Sequence, residues 1–95
     1  MNTLLNLLKI DLGITHSLRD AFFIQLLQGT IQEIERRGIT VDKTKADDQM
    51  LIVDYAAWTY RKRQEDQPLA NNIQHRIRNR IIEERIAKQD AITEN

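Results

Sequence analysis

The stretch MLIVDYAAWTY, residues 50–60, is broken only by Asp54 and Thr59 among apolar and amphipathic side chains. Three helical turns of this character are hydrophobic around most of their circumference, and such a helix has to be covered on most sides. In a chain of 95 residues the cover must come from the rest of the chain. The stretch therefore predicts a central helix with the other elements packed around it.

Those elements are helical too. Leu4, Leu5, Leu8 and Leu12 recur at three- and four-residue spacing after Thr3, a candidate N-cap, and Gly13 suits a left-handed stop. This predicts a first helix over residues 3–12. Ser17 followed by Asp20 reads as a capping box with a short acid. The stripe Phe23, Leu27, Ile31, Ile34, widened by Phe22 and Leu26, predicts a second helix over 17–37 that ends on Arg36, Arg37 and Gly38. Gly29 in its middle costs about 1 kcal/mol against alanine, which predicts close approach of a neighbouring backbone. Residues 38–46 read as a loop that tucks Ile39 beneath the preceding helix. Asp47 is placed as the cap of the central helix, over 47–64. Pro68 fits the first turn of a fourth helix over 68–88, carried by Leu69, Ile73, Ile77 and Ile81 with Ile82 and Ile86 beside them. The pattern is lost over 89–95, where fraying is expected. The expectation is one all-α domain, residues 1–95, of about four helices.

With 41% apolar residues and five aromatics, a chain this short removes only about 65% of its unfolded surface from water. Ordering costs about 1–2 kcal/mol per residue for the backbone, so an assembly partner adds needed stability. Oligomers or complexes are expected. There is no cysteine, which rules out disulfides and thiolate zinc sites. Residues 4–12 lack a basic leader and a small-residue cleavage site, so no signal peptide is expected, and no apolar run nears the ~20 residues of a membrane span.

Candidate chemistry is sparse. His16 and His75 have no ligand spacing around them, and Asp42, Asp47 and Asp48 lack the alternation and glycine of a calcium loop. Ser17 is the sole serine, and three isolated glycines make no phosphate loop. Neither an enzyme nor a metal or cofactor site is expected. Trp58, Tyr55 and Tyr60 have the composition of a base-stacking platform, but their spacing within the apolar helix fits core positions better.

The charges are balanced in sum and uneven in place. Residues 1–54 carry six basic and eight acidic side chains, and residues 55–95 carry eight and six. Arg61, Lys62, Arg63, Arg76, Arg78 and Arg80 meet only Glu65 and Asp66 within twenty residues. Arg61, Lys62 and Arg63 complement a helix C-terminus. The mid-helix arginines are not explained that way: Arg80 has Glu83 or Glu84 within reach, while Arg76 and Arg78 lack an evident local partner. The six cations are the candidate partner-binding residues, for an acidic face of another chain or for a phosphate backbone.

The segments LLKIDLGI (7–14), DAFFIQLLQGTIQEIERRGI (20–39), DDQMLIVDYAAWTYRKR (47–63) and PLANNIQHRIRNRI (68–81) occur in an order that resembles the head-tail connector proteins of tailed bacteriophages. These are also described as adaptor, head-completion or DNA-packaging proteins. The resemblance covers about residues 4–86 and rests on order and spacing. It implies an all-α virion subunit, assembled in the bacterial host cytoplasm as a homo-oligomeric ring of about a dozen copies. The ring docks on the portal protein, extends the channel through which DNA passes without sequence recognition, and supports the next neck or tail component. Some relatives grip the portal with a longer C-terminal tail than this chain has. The alternative is a small DNA-binding regulator that presents the fourth helix, with Asn71, Asn72, Gln74, Arg78 and Asn79, to base edges. The absence of net positive charge and of a tight helix–turn–helix turn stands against it.

Overall fold

The computed structural model describes the backbone of residues 1–62 and 68–93 and the side chains of residues 1–62 and 68–88. Four helices follow one another: α1 (Asn2–Leu12), α2 (Asp20–Arg36), α3 (Ala46–Lys62) and α4 (Asn71–Thr93). No strand occurs among the described residues, and none of the helices is long and apolar enough to cross a membrane. The chain is a small all-α bundle, as its periodicities require.

α3 is the central element and packs on each of the other three helices. Leu51, Ile52, Val53, Tyr55, Ala56 and Ala57 are all buried, and only Met50, at the N-terminal end of the apolar stretch, reaches 46% exposure. Phe23, Leu27, Ile31 and Ile34 of α2 and Leu4, Leu5 and Leu8 of α1 close over it. Each fully buried side chain of this size contributes about 1.5–3 kcal/mol of transfer free energy. Tyr60 stands edge-on to Phe23 at 5.4 Å, Tyr55 is buried and Trp58 half-buried. These rings belong to the core and do not form an open platform.

The glycine stops form as expected. Gly13 lies at φ 73°; its N–H donates to the Ile10 carbonyl at 3.2 Å and that of Ile14 to Lys9 at 2.9 Å, the paired bonds of a Schellman ending. Gly38 takes φ 102° behind α2, and Ile39 is buried beyond it.

The helix starts differ from expectation. α1 begins two residues earlier than the Thr3 cap requires, with Met1 as its N-cap, because the Met1 carbonyl accepts the Leu5 N–H at 3.0 Å. Ser17 does not cap α2. The helix starts at Asp20 with no side-chain cap, because its N-cap is Arg19, whose side chain offers no acceptor. The Ser17 backbone carbonyl, not its hydroxyl, accepts the Asp20 N–H at 3.3 Å, and the Asp20 carboxylate pairs with the half-buried Lys9 ammonium at 2.9 Å, tying α1 to α2. Asp47 lies inside the first turn of α3, and the Lys45 carbonyl accepts the first bond, from Gln49 N–H at 2.9 Å. Pro68 lies three residues before α4. The Ala70 carbonyl accepts the Gln74 N–H at 3.0 Å, and the Gln74 side-chain amide donates to the Leu69 carbonyl, which fixes the start at Asn71. α4 runs to Thr93, five residues beyond the expected end. Beyond its own helix, Gly29 has no atom of the described residues within 4 Å of where a Cβ would stand, so none of their backbones approaches it.

Candidate functional site

α4 decides which charges are spent within the chain and which face outward. Its apolar seam is short: Ile73 and Ile77 are buried, Ile81 is half-buried, and Ile82 and Ile86 are 48% and 52% exposed. The rest of its attachment to the body is polar.

The strongest of those attachments centres on Asp48, which is only 1% exposed. Its carboxylate accepts from both Arg80 terminal nitrogens, Nη2 to Oδ2 at 3.0 Å and Nη1 to Oδ1. It also accepts the Asp42 backbone N–H at 2.7 Å. The bidentate guanidinium holds the Asp48 carboxyl below the ordinary carboxylate range, outweighing the opposing effect of burial, and the Arg80 pKa is raised in turn. Arg80 Nη2 donates further to the Thr40 carbonyl at 3.3 Å, while Glu84 accepts the Thr40 N–H at 3.0 Å and lies 3.6 Å from Arg80 Nε. The loop itself is set by Asp42, whose carboxylate accepts the Thr44 hydroxyl and its N–H, at 2.9 Å for the latter. These bonds lower the Asp42 pKa. One turn before Arg80, Arg76 Nη1 pairs with Asp54 Oδ2 at 2.7 Å.

This places five of the six candidate cations. Arg76 has a partner after all: Asp54 lies 22 residues back on α3, beyond the reach of any search along the helix itself. Arg80 is committed chiefly to Asp48. Arg61 lies 3.4 Å from the Asp11 carboxylate and donates to the Asp11 carbonyl at 3.1 Å, and Lys62 is half-buried and engaged as well. Arg63 lies outside the described residues. Arg78 is exposed and has no carboxylate partner among the described residues.

Arg78 is not isolated. Arg85, seven residues on and hence on the same side of the helix, is also exposed and without a carboxylate partner among the described residues. Both line a shallow concavity with Ile77, Ile81, Ile82 and Arg37. Arg37 lies 3.9 Å from Glu33 and 5.9 Å from the Tyr55 ring centroid. The seven-residue spacing of Arg78 and Arg85 was visible in the sequence, whereas the addition of Arg37 from α2 needed the fold. Among the described residues no group of three His, Cys, Asp or Glu side chains converges on a metal-sized site. His16 is a turn residue whose Nδ1 accepts the Leu18 N–H at 3.3 Å. Comparison with protein-family models, curated proteins and solved structures finds no match for this chain.

Proposed function

We propose that this chain is a structural assembly subunit of the head-tail connector type, which binds other protein chains through the flank of α4 that carries Arg78, Ile82 and Arg85. Placed in a tailed phage, it forms a homo-oligomeric ring under the portal, extends the DNA channel without reading its sequence, and carries the next neck or tail component. The reading places it in the virion and assigns it no reaction. One observation carries the argument: on a helix whose other mid-helix arginines are neutralised internally, two arginines without carboxylate partners among the described residues flank an isoleucine 48% exposed. Arginine beside exposed apolar surface is a composition enriched at protein interfaces. The resemblance of the segment order to that of connector proteins suggests the class of assembly.

Native mass spectrometry of the purified protein with and without its cognate portal tests the reading. A multi-copy ring on the portal is expected, with Arg78→Glu weakening it while helicity stays intact. A chain that ignores the portal but shifts a DNA duplex in gels, with a steep salt slope and sequence preference, would instead be the DNA-binding regulator.

A further inference from the structure

The two flanks of α4 carry opposite uncompensated charge, and we propose that they are the two halves of a head-to-tail contact between copies of this chain. The basic flank is the concavity of Arg78, Arg85 and Ile82 already described. The other flank is a second concavity, lined by Asp47, Met50 and Leu51 of α3 and by Asn79 and Glu83 of α4. Asp47 and Glu83 are exposed and have no cation within 4 Å among the described residues. Arg76 and Arg80 line the same concavity, but both are already spent, Arg76 on Asp54 and Arg80 on Asp48, which leaves the acidic side chains in excess there. At about 100° per residue, Glu83 stands ~140° around the helix from Arg78 and ~160° from Arg85. The flanks therefore face nearly opposite ways, and one molecule cannot close the contact on itself.

Each flank also has an apolar centre of similar size, Met50 at 46% and Ile82 at 48% exposure. A second copy meets both requirements at once, because its Asp47 and Glu83 oppose Arg78 and Arg85 while Met50 packs on Ile82. The charges set the direction, since basic on basic and acidic on acidic are both repulsive. Such a contact is heterologous: each copy offers one flank and leaves the other free, so it propagates until it closes into a ring or runs on as a filament. The inference rests on the assembly reading above and specifies which surfaces join one subunit to the next.

Sedimentation without any portal tests it. The wild type is expected to gain mass with concentration, and to lose that gain as salt rises from about 0.1 M to about 1 M, where the screening length falls from ~10 Å to ~3 Å. The double variant Arg78→Glu/Arg85→Glu should remain monomeric, and so should Asp47→Lys/Glu83→Lys. An equimolar mixture of the two should associate again, since each flank then meets its opposite. That recovery cannot arise from misfolded variants. Wild type that stays monomeric throughout, or variants that associate singly, or a mixture that does not recover, would each overturn the contact. Ring formation on the portal in those cases would leave the connector reading standing without it.

Discussion

Replacing Arg80 with methionine keeps most of the aliphatic stem and removes the guanidinium. It leaves the Asp48 carboxylate, 1% exposed, with the Asp42 N–H at 2.7 Å as its remaining donor. Breaking a buried ion pair from one side costs about 3–5 kcal/mol, because the surviving charge stays desolvated. The Arg80 side chain is 24% exposed, so water gains access to the gap, and a loss near the lower bound, about 3 kcal/mol, is expected at pH 7. For a domain of this size each kcal/mol moves Tm by about 4–8 °C, so the midpoint should fall by ~12–24 °C in thermal circular dichroism. The pH dependence gives a second readout. In the wild type the folded Asp48 pKa lies below its unfolded value of about 3.9, so its contribution is present above that value and is lost as pH falls through the folded pKa. In the variant the unpaired buried carboxyl shifts upward, and protonation relieves it. The gap between the two proteins should therefore narrow on acidification from pH 7 to 4. A Tm loss below ~4 °C at pH 7, or a gap that does not change with pH, would refute the view that this pair is desolvated and holds α4 in place.

Two glycines should respond in opposite directions to alanine. Gly29→Ala fills empty space in the middle of α2 and should stabilise by about 0.5–1 kcal/mol, whereas Gly38→Ala forces an L-residue to φ 102° and should cost about 1–2 kcal/mol; urea unfolding of the two variants checks both. Phe23→Ala empties a fully buried site beside Tyr60 and should cost about 3–5 kcal/mol in the same assay. Asp54→Asn breaks a pair whose partners are each about one-third exposed, and its cost should stay under ~1 kcal/mol.

Periodicity made the helices and core legible because burial is written into spacing: Leu4, Leu8, Phe23, Leu27, Ile34, Ile52, Ile73 and Ile77 are all buried. The glycine stops were legible because positive φ selects glycine. Helix starts were not, because the first turns here close on backbone carbonyls, those of Met1, Arg19, Lys45 and Ala70, and a candidate cap side chain in the sequence does not say which carbonyl that will be. The same limit applied to the candidate surface. Arg76 read as spare, and Arg80 as the partner of Glu83 or Glu84, when only residues on their own helix were considered; α3 supplied the carboxylates that hold them, Asp54 and Asp48. Gly29 suggested a close approach that does not occur among the described residues, since a glycine's cost says nothing about where a neighbour lies.

The spacing of the arginines on α4 separates holding from reaching. Arg76 and Arg80 are one turn apart on one face, while Arg78, midway between them in sequence, points ~160–200° away, and Arg85 returns to its side. Alternate basic residues along a helix therefore cannot all serve one surface. Ile73 and Ile77 alone would leave α4 free to roll on α3, because apolar contact is not directional. The pairs Asp54–Arg76 and Asp48–Arg80 have fixed geometry and set the rotation of the helix about its own axis. The direction in which Arg78, Ile82 and Arg85 face is thus determined by two carboxylates on another helix. Loosening those pairs should misdirect the outward flank without altering any residue on it.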